Sequence, residues 1–345
     1  MQYISINNTR IGEGYPPYII AEMSANHNGS IENAYKIIEN AKKCGANAVK
    51  IQTYKPDTIT IRSDFEDFKI NKGLWKGKTL HELYDWAHTP WSWHKDLFEY
   101  ASKIGITMFS SPFDNTAVDL LEDLNCPAYK IASFELIDTS LIKYVASTKK
   151  PIIMSTGMAN FNEIEEAVSV CKESGCEEIA LLHCVSAYPA KPEEYNLKTI
   201  LDMKSSFNLT IGLSDHTLDN VTAISSVSLG ASIIEKHFTL DRNGGGPDDF
   251  FSLEKKEFES LCKNLNIAWS ALGDVSYQRT NSEKENIKFR RSLYFVKDMK
   301  KGQLVTKEDI KSIRPGYGLK PKFIDSIVGL KVSSNIKRGT PVKEE

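Results

Sequence analysis

The stretch YIIAEMSANHNGSIENAYKIIENAKKCGANAVKIQTY, residues 18–54, holds one full unit of the repeat that decides the fold. Its two ends, YIIAEMSA and AVKIQTY, are short apolar and β-branched runs of the kind that form buried strands. Between them, apolar residues recur at helical spacing from Ala34 to Ala41, and Gly45 follows where a helix C-cap is expected. The stretch therefore predicts a strand, a helix and a second strand.

The same strand-and-helix unit repeats along most of the chain. Eight strand-like runs alternate with amphipathic segments, which is the pattern of repeated β-α units. A closed (β/α)8 TIM barrel fits this pattern better than an open doubly wound sheet, because the first turn reads SANHNGS instead of a glycine-rich phosphate fingerprint. The eight predicted strands lie within 18–25, 48–54, 106–112, 128–133, 151–157, 178–185, 209–215 and 233–240.

The remaining sequence predicts a second, smaller domain after the barrel. Residues 1–273 are predicted to be the barrel domain, which ends with the amphipathic segment LEKKEFESLCKNLNIAWSALG. Residues 274–290 are polar and lysine-rich and predict a linker, whereas 291–345 contain short strand-like runs broken by Gly and Pro. So small a domain buries little core alone and is expected to dock on another surface. The long connection at 55–90 predicts a lid or an interface.

Composition excludes several classes of function. The chain has 345 residues, 41% of them hydrophobic and 26% charged, with a formal net charge of −2, so it has no bulk attraction to nucleic acid. No apolar run approaches the roughly 18 residues of a membrane span, and MQYISINNTRIGEG lacks the features of a signal peptide. Six cysteines without a C-x-x-C pair predict reduced thiols. We therefore expect a cytoplasmic protein without membrane or nucleic-acid partners.

Nearly every predicted strand ends in a polar side chain, and in such barrels the catalytic groups project from these C-terminal ends. A buried lysine needs an anion, because leaving an ammonium unpaired in the interior is costly. The pattern favours a cradle for a carboxylate and a phosphate. The alternative is that the lysines pair with core glutamates such as Glu22 or Glu235. The candidate cradle residues are Lys50, Lys130, Ser133, Ser155 and Ser214.

Two histidines follow the last two strands, within Ser214-Asp215-His216 and Glu235-Lys236-His237. Adjacent strands lie ~4.8 Å apart, so imidazoles at matching heights can share one divalent cation. Two protein ligands leave coordination positions open, as a catalytic metal requires. The alternative for each histidine is a hydrogen-bonded core residue. On position, we favour a metal held by His216 and His237.

The ordered motifs resemble those of the sialic acid (nonulosonate) synthase family over essentially the whole chain. They are AEMSANHNGS, VKIQTY, FSSPFD, YKIASFE, STGM, GLSDHT, EKHFTLDR and GGPDDFFSLE, followed by RSLYFVKDMKKGQLVTKEDIKSIRPGYGLKP. The last segment is similar to an antifreeze-like (SAF, β-clip) domain. EMSANHNGS and the long-loop segment GLWKGKTLHELYDWAHTPWSWH are closer to the pseudaminic acid branch of the family than to the N-acetylneuraminic acid branch.

The resemblance implies an activity, a cofactor and an assembly. The expected reaction condenses phosphoenolpyruvate with open-chain 2,4-diacetamido-2,4,6-trideoxy-L-altrose, giving a nine-carbon 2-keto acid and phosphate by C–O cleavage. The expected metal is Mn2+ or Mg2+, with Co2+ as a further option, and the expected assembly is a domain-swapped homodimer. The implied roles are phosphoenolpyruvate binding by Lys50, Lys130, Ser133, Ser155 and Ser214, metal binding by His216 and His237, acid–base chemistry by Glu22 and Glu135, and sugar contacts by Gln52, Tyr188, Asp248 and Arg314.

Three alternatives remain open. The sugar could be that of the N-acetylneuraminic or legionaminic acid synthases, although Ser186 replaces an asparagine of the neuraminic branch and fits a different hexose. Related synthases that add phosphoenolpyruvate to phosphorylated sugars would need additional basic residues for the second phosphate. A non-enzymatic carbohydrate-binding protein with an antifreeze-like module would leave the lysines, glutamates and histidines at the strand ends unexplained.

Overall fold

The first element of the chain is an antiparallel hairpin that the sequence patterns did not predict. The computed structural model describes residues 3–344, and the hairpin pairs β1 (Tyr3–Ile6) with β2 (Thr9–Gly12). Asn7 and Asn8 join the strands with φ of 46° and 64°, the left-handed values that a two-residue type I′ turn requires. Asparagine tolerates these angles better than most residues, which explains how such short strands form a hairpin.

Eight parallel strands close into a barrel, which confirms the predicted (β/α)8 TIM-barrel fold. These strands are β3 (Tyr18–Glu22), β4 (Ala48–Thr53), β5 (Thr107–Pro112), β6 (Tyr129–Ile131), β7 (Ile152–Ser155), β8 (Ile179–Cys184), β9 (Thr210–Asp215) and β10 (Ile233–His237). Each pairs with its neighbours in the sequence, and β10 closes the barrel against β3. All eight C-terminal ends therefore open on one face, where the active sites of such barrels lie.

Helices connect the barrel strands. In the first unit Ser30 caps the helix by accepting a hydrogen bond from the Asn33 N–H, and Gly45 ends it with φ of 100°, which confirms the predicted C-cap. No helix within residues 3–344 is long and apolar enough to cross a membrane. The helices are α1 (Ile31–Cys44), α2 (Pro56–Ile59), α3 (Leu80–Ala87), α4 (Trp91–Ile104), α5 (Asn115–Asp123), α6 (Thr139–Ser147), α7 (Phe161–Glu173), α8 (Thr199–Phe207), α9 (Val221–Ser228) and α10 (Lys255–Leu272).

The long connection between β4 and α4 contains regular secondary structure. It contains α2 and α3, and Thr79 and Glu82 form a reciprocal capping box at the start of α3. The Trp75 indole N–H donates to the backbone oxygen of Pro247 at 2.9 Å. The connection therefore reaches the loop that follows β10, next to Asp248.

Residues 274–345 form a second compact unit. It contains α11 (Asn281–Lys284), the antiparallel pair β11 (Ser292–Phe295) and β12 (Ile310–Ile313), and α12 (Ile324–Ile327). Its few secondary-structure elements are short, as the Gly- and Pro-broken runs predicted. Its buried core is made of Leu293, Phe295, Met299, Val305, Ile310, Val332 and Val342.

Candidate active site

Lys50 lies in the barrel interior between two glutamates. Its side chain points inward from β4, as the alternation of residues along the strand predicts. Lys50 Nζ is 3.1 Å from Glu22 Oε2 on β3 and 3.0 Å from Glu235 Oε2 on β10. All three side chains are buried. Lys50 therefore adopts the alternative arrangement considered for the lysines, in which core glutamates supply the counter-charge.

The two glutamates around Lys50 differ in their affinity for a proton. Burial raises the pKa of Glu22, although its contact with Lys50 opposes the rise. Burial acts in the same direction on Glu235, but the positive charges of Lys50 and Lys130 outweigh it and lower the pKa of this carboxyl. Glu235 is therefore the fixed counter-ion, and Glu22 is the carboxyl better able to hold and release a proton.

Lys130, on β6, is the second lysine of the barrel interior, and its hydrogen-bond partners are neutral. Its Nζ donates to Ser155 Oγ at 2.6 Å and to the backbone oxygen of Ile131 at 2.8 Å. The residue is 1% exposed, and no carboxylate within residues 3–344 forms an ion pair with it. Burial lowers the pKa of Lys130 to about 8. An anion that enters the barrel would stabilise the charged form of this side chain.

Serine hydroxyls line the same region, and a glycine makes room for them. Ser133 Oγ accepts a hydrogen bond from the Gly157 N–H at 3.2 Å. A Cβ at Gly157 would lie 2.2 Å from Ser186 Oγ and 2.7 Å from Ser133 Oγ, so no larger residue fits without displacing both. Ser186 Oγ is buried without a partner within the described residues, and Ser214 Oγ donates to Glu235 Oε1 at 3.0 Å. Of the predicted serines, Ser155 contacts Lys130 directly, and Ser214 is linked to Lys50 through Glu235.

His216 and His237 lie side by side, with ring centroids 5.4 Å apart. His216 Nδ1 is 2.8 Å from the backbone oxygen of Val185, which leaves Nε2 as its remaining ring nitrogen. His237 Nδ1 is buried without a hydrogen-bond partner within residues 3–344. The Tyr188 ring packs against His216 at 4.4 Å between centroids. Across the part of the chain that the structure describes, no group of three or more His, Cys, Asp or Glu side chains is arranged to hold a metal, so this pair would supply two ligands.

Two of the four residues predicted to contact the sugar, Gln52 and Asp248, are joined through Ser24 beside Glu22. The Gln52 amide donates to Glu22 Oε1 at 3.2 Å and to Ser24 Oγ at 3.0 Å. Ser24 Oγ in turn donates to Asp248 Oδ2 at 2.5 Å. Ends of three neighbouring segments, after β3, within β4 and after β10, are thus joined by hydrogen bonds.

Glu135 lies in the 3-10 turn Ser133–Glu135 that follows β6. Its Oε2 is buried and has no hydrogen-bond partner within the described residues. Burial raises the pKa of this carboxyl to about 7. Glu135 can therefore both give and take a proton near neutral pH. Arg314, the remaining predicted sugar contact, lies in the second unit, directly after β12.

Glu235 is the main site residue to which no role was predicted, although it was considered as a partner for a lysine. It binds Lys50 and accepts a hydrogen bond from Ser214. The sequence did indicate that Glu235 faces the site, because residues alternate along β10 and Glu235 therefore shares the inward side with His237. The intervening Lys236 points the other way and pairs with Asp215 at 2.6 Å.

A closed barrel with buried lysines, glutamates and paired histidines at the ends of its strands is the framework of an enzyme. The chain belongs to the NeuB family, which it matches over residues 37–277, and residues 290–345 match the SAF domain. These matches confirm the family resemblance and the identity of the C-terminal domain.

Relatives in the family cover nearly the full chain. Pseudaminic acid synthase of Campylobacter jejuni is 45% identical over 327 residues, which are 95% of each chain. Pseudaminic acid synthase of Helicobacter pylori is 43% identical over 331 residues, covering 96% of this chain and 97% of the relative. The crystal structure of N-acetylneuraminic acid (sialic acid) synthetase from Leptospira borgpetersenii, in complex with citrate, aligns with a TM-score of 0.74 at 33% identity and covers 84% of this chain and 96% of that one.

Proposed function

We propose that the protein condenses phosphoenolpyruvate with 2,4-diacetamido-2,4,6-trideoxy-L-altrose to give a nine-carbon 2-keto acid and phosphate, the reaction of a pseudaminic acid synthase. The observation that carries the proposal is the full-length similarity to two pseudaminic acid synthases. C3 of the enol phosphate attacks the aldehyde of the open-chain sugar. Water then adds at C2, and the tetrahedral adduct releases phosphate by breaking the C–O bond.

The lysines and serines of the barrel interior are suited to bind phosphoenolpyruvate, which carries a carboxylate and a phosphate. Lys130 supports this role best, because it is buried among neutral partners and gains a counter-charge when the anion binds. Lys50 would add a second positive charge between its two glutamates. Ser133, Ser155 and Ser214 would donate hydroxyl hydrogen bonds to the remaining oxygens.

His216 and His237 fit a divalent metal, which would be Mn2+, Mg2+ or Co2+. The fit rests on an unpartnered, buried ring nitrogen of His237 beside a His216 ring whose Nδ1 is already engaged by Val185. When bound, the metal would act as a Lewis acid that polarises the sugar aldehyde. Two protein ligands would leave room for oxygen atoms of substrate or water.

Glu22 and Glu135 are the candidates for proton transfer. The aldehyde oxygen gains a proton as the C–C bond forms, and the water that attacks C2 loses one. A carboxyl held near neutral pKa can serve in either direction, and burial raises the pKa of both residues towards that range. Glu22 also contacts Gln52, which links proton transfer to the sugar side of the site.

Gln52, Tyr188 and Asp248 would contact the sugar within the barrel, and Arg314 would reach it from the second unit of a partner chain in a domain-swapped homodimer. Exposed apolar side chains in the segments that follow the barrel strands support such a covering surface. They are Phe134, Ile137, Met158 and Val221, at 59%, 67%, 63% and 68% exposure.

A complementation experiment tests the swapped arrangement. Arg314→Ala and Lys130→Met variants should each have little activity. If Arg314 acts on the partner's barrel, mixing the two under conditions of subunit exchange should restore activity, because one mixed site has both residues intact. No recovery in verified mixed dimers would show that Arg314 acts within its own chain or not at all.

The reaction itself is tested by phosphate release from phosphoenolpyruvate with Mn2+ and one of two aldoses. The 2,4-diacetamido-2,4,6-trideoxy-L-altrose should support turnover, and the manno-configured acetamido aldose of the neuraminic branch should support far less. Equal or greater turnover of the manno-configured sugar would reassign the chain to another branch. Release without any aldose would contradict a synthase.

A further inference from the structure

Ser24 forms hydrogen bonds with two side chains proposed to contact the sugar, but it has no assigned role of its own. Its hydroxyl is within 2.5 Å of Asp248 Oδ2 and 3.0 Å of Gln52 Nε2. The same Asp248 oxygen also accepts from the Ala25 N–H at 3.4 Å, and the same Gln52 nitrogen also donates to Glu22 Oε1 at 3.2 Å. Ser24 is 4% exposed, so water does not compete freely for its hydroxyl.

The chemistry of the partners fixes the direction of each hydrogen bond. Burial raises the pKa of Asp248, and the hydrogen bonds that its Oδ2 accepts from Ser24 and from the Ala25 N–H oppose that rise. In the ionised form that these hydrogen bonds favour, the carboxylate only accepts, so the Ser24 hydroxyl gives it its single hydrogen. The Ser24 oxygen then accepts from Gln52, and both hydrogens of the Gln52 amide are used, one by Ser24 and one by Glu22. Within residues 3–344, the oxygens of these two side chains that have no hydrogen-bond partner are Gln52 Oε1 and Asp248 Oδ1, and both are acceptors in this arrangement.

The backbone conformation of Ser24 also supports a role for its side chain. Ser24 has φ of 44°, in the left-handed region that glycine adopts freely and that serine adopts only with strain. A glycine would relieve this strain, but it would lack the hydroxyl that joins Gln52 to Asp248. The side chain therefore contributes something that the backbone conformation alone does not require.

We infer that Ser24 is a positioning residue that sets the polarity of the sugar pocket, so that Gln52 and Asp248 present two acceptors to the acetamido N–H groups of the substrate. An amide N–H can only donate, so it matches a fixed acceptor. A pair of fixed acceptors therefore favours acetamido groups that keep their N–H over substituents that have no hydrogen to donate, such as N-methylated acetamido groups. The inference rests on the proposed function, because it takes the aldose of that reaction as the ligand.

Ser24→Gly and Ser24→Ala test the inference together. Glycine removes the hydroxyl and the strain, alanine removes the hydroxyl alone, and both should give the same kinetic change. Without the hydroxyl that joins Asp248 to Gln52, kcat/KM for the diacetamido aldose should fall about 10- to 100-fold, while KM for phosphoenolpyruvate stays within about twofold. Ser226→Ala is the matched control, because Ser226 is buried and donates only to Ala223 within α9.

A substrate analogue distinguishes an effect on hydrogen-bond polarity in the sugar pocket from a general loss of fit between pocket and sugar. Methylating both acetamido nitrogens removes the N–H donors, and the wild type should discriminate against this analogue strongly. In the Ser24 variants the Gln52 amide keeps only its hydrogen bond to Glu22 and is held less firmly, so that discrimination should shrink by about tenfold. Because the added methyl groups are the same in every comparison, their bulk cancels in the ratio. Unchanged discrimination in both variants would overturn the inference.

A binding measurement keeps this test separate from the fate of the proposed reaction. The alditol of the same diacetamido sugar has no aldehyde and cannot react, so its affinity can be measured by calorimetry with phosphoenolpyruvate and Mn2+ present. Tight binding to the wild type and weak binding to Ser24→Gly would support the inference even if no phosphate were released. Equal binding to both proteins, or none to the wild type, would refute it.

Discussion

Replacing Glu135 by glutamine should make the protein more stable at alkaline pH while removing most of its activity. Burial raises the pKa of this carboxyl from 4.5 to about 7. An unfolded chain releases the proton near the lower value, and the folded protein keeps it until the higher one. Between these two values the folded state binds the extra proton, so its stability falls as pH rises. Full ionisation of Glu135 therefore lowers the free energy of unfolding by up to about 3 kcal/mol, and a neutral glutamine at this position avoids that loss.

Urea unfolding of the barrel, followed by tryptophan fluorescence, measures this cost. From about pH 5 to pH 8 the stability of Glu135→Gln relative to the wild type should improve by about 2 kcal/mol. Glu166→Gln, an exposed substitution on α7, should show no such change and serves as the control. The same Glu135→Gln protein should lose about 100-fold in kcat. A stability difference that is the same at both pH values would refute the assigned electrostatics of Glu135.

Three further substitutions probe the rest of the site. Lys130→Met removes the ammonium that binds Ser155 and should raise KM for phosphoenolpyruvate about 100-fold; an unchanged KM would remove Lys130 from the substrate site. Gly157→Ala places a methyl group 2.2 Å from Ser186 Oγ, so thermal denaturation should show a free energy of unfolding lower by about 1 to 3 kcal/mol. Wild-type stability would mean that the loops around Ser186 move to accommodate the methyl group. His237→Gln should weaken Mn2+ binding about 100-fold in calorimetry, and wild-type affinity would contradict the metal assignment.

The fold was predictable because its signal is repeated and of long range. Each of the eight quoted runs contains one barrel strand, and Gly45 ends the first helix as predicted. The N-terminal hairpin escaped prediction because its strands have four residues each, too few to show a period. Its one clear marker was the Asn7-Asn8 pair, which tolerates the left-handed turn.

The site was predictable as a set of side chains but not as a network. Alternation along a strand indicates that Lys50 points inward, but it does not say which neighbour neutralises the charge. That depends on the register between strands, which places Glu22 beside Lys50 and Glu235 beside Ser214. The hydrogen bond between Ser24 and Asp248 depends in addition on a loop after β10, more than two hundred residues away in sequence. Such contacts are properties of the closed barrel and not of any local motif.

The most direct test of the central claim uses phosphoenolpyruvate labelled with 18O at the bridging oxygen. If the barrel joins C3 of this substrate to an acetamido aldose and breaks the C–O bond, the label should appear in inorganic phosphate, and only when the aldose and a divalent metal are present. Label retained in the 2-keto product, or labelled phosphate formed without the aldose, would contradict the proposed condensation.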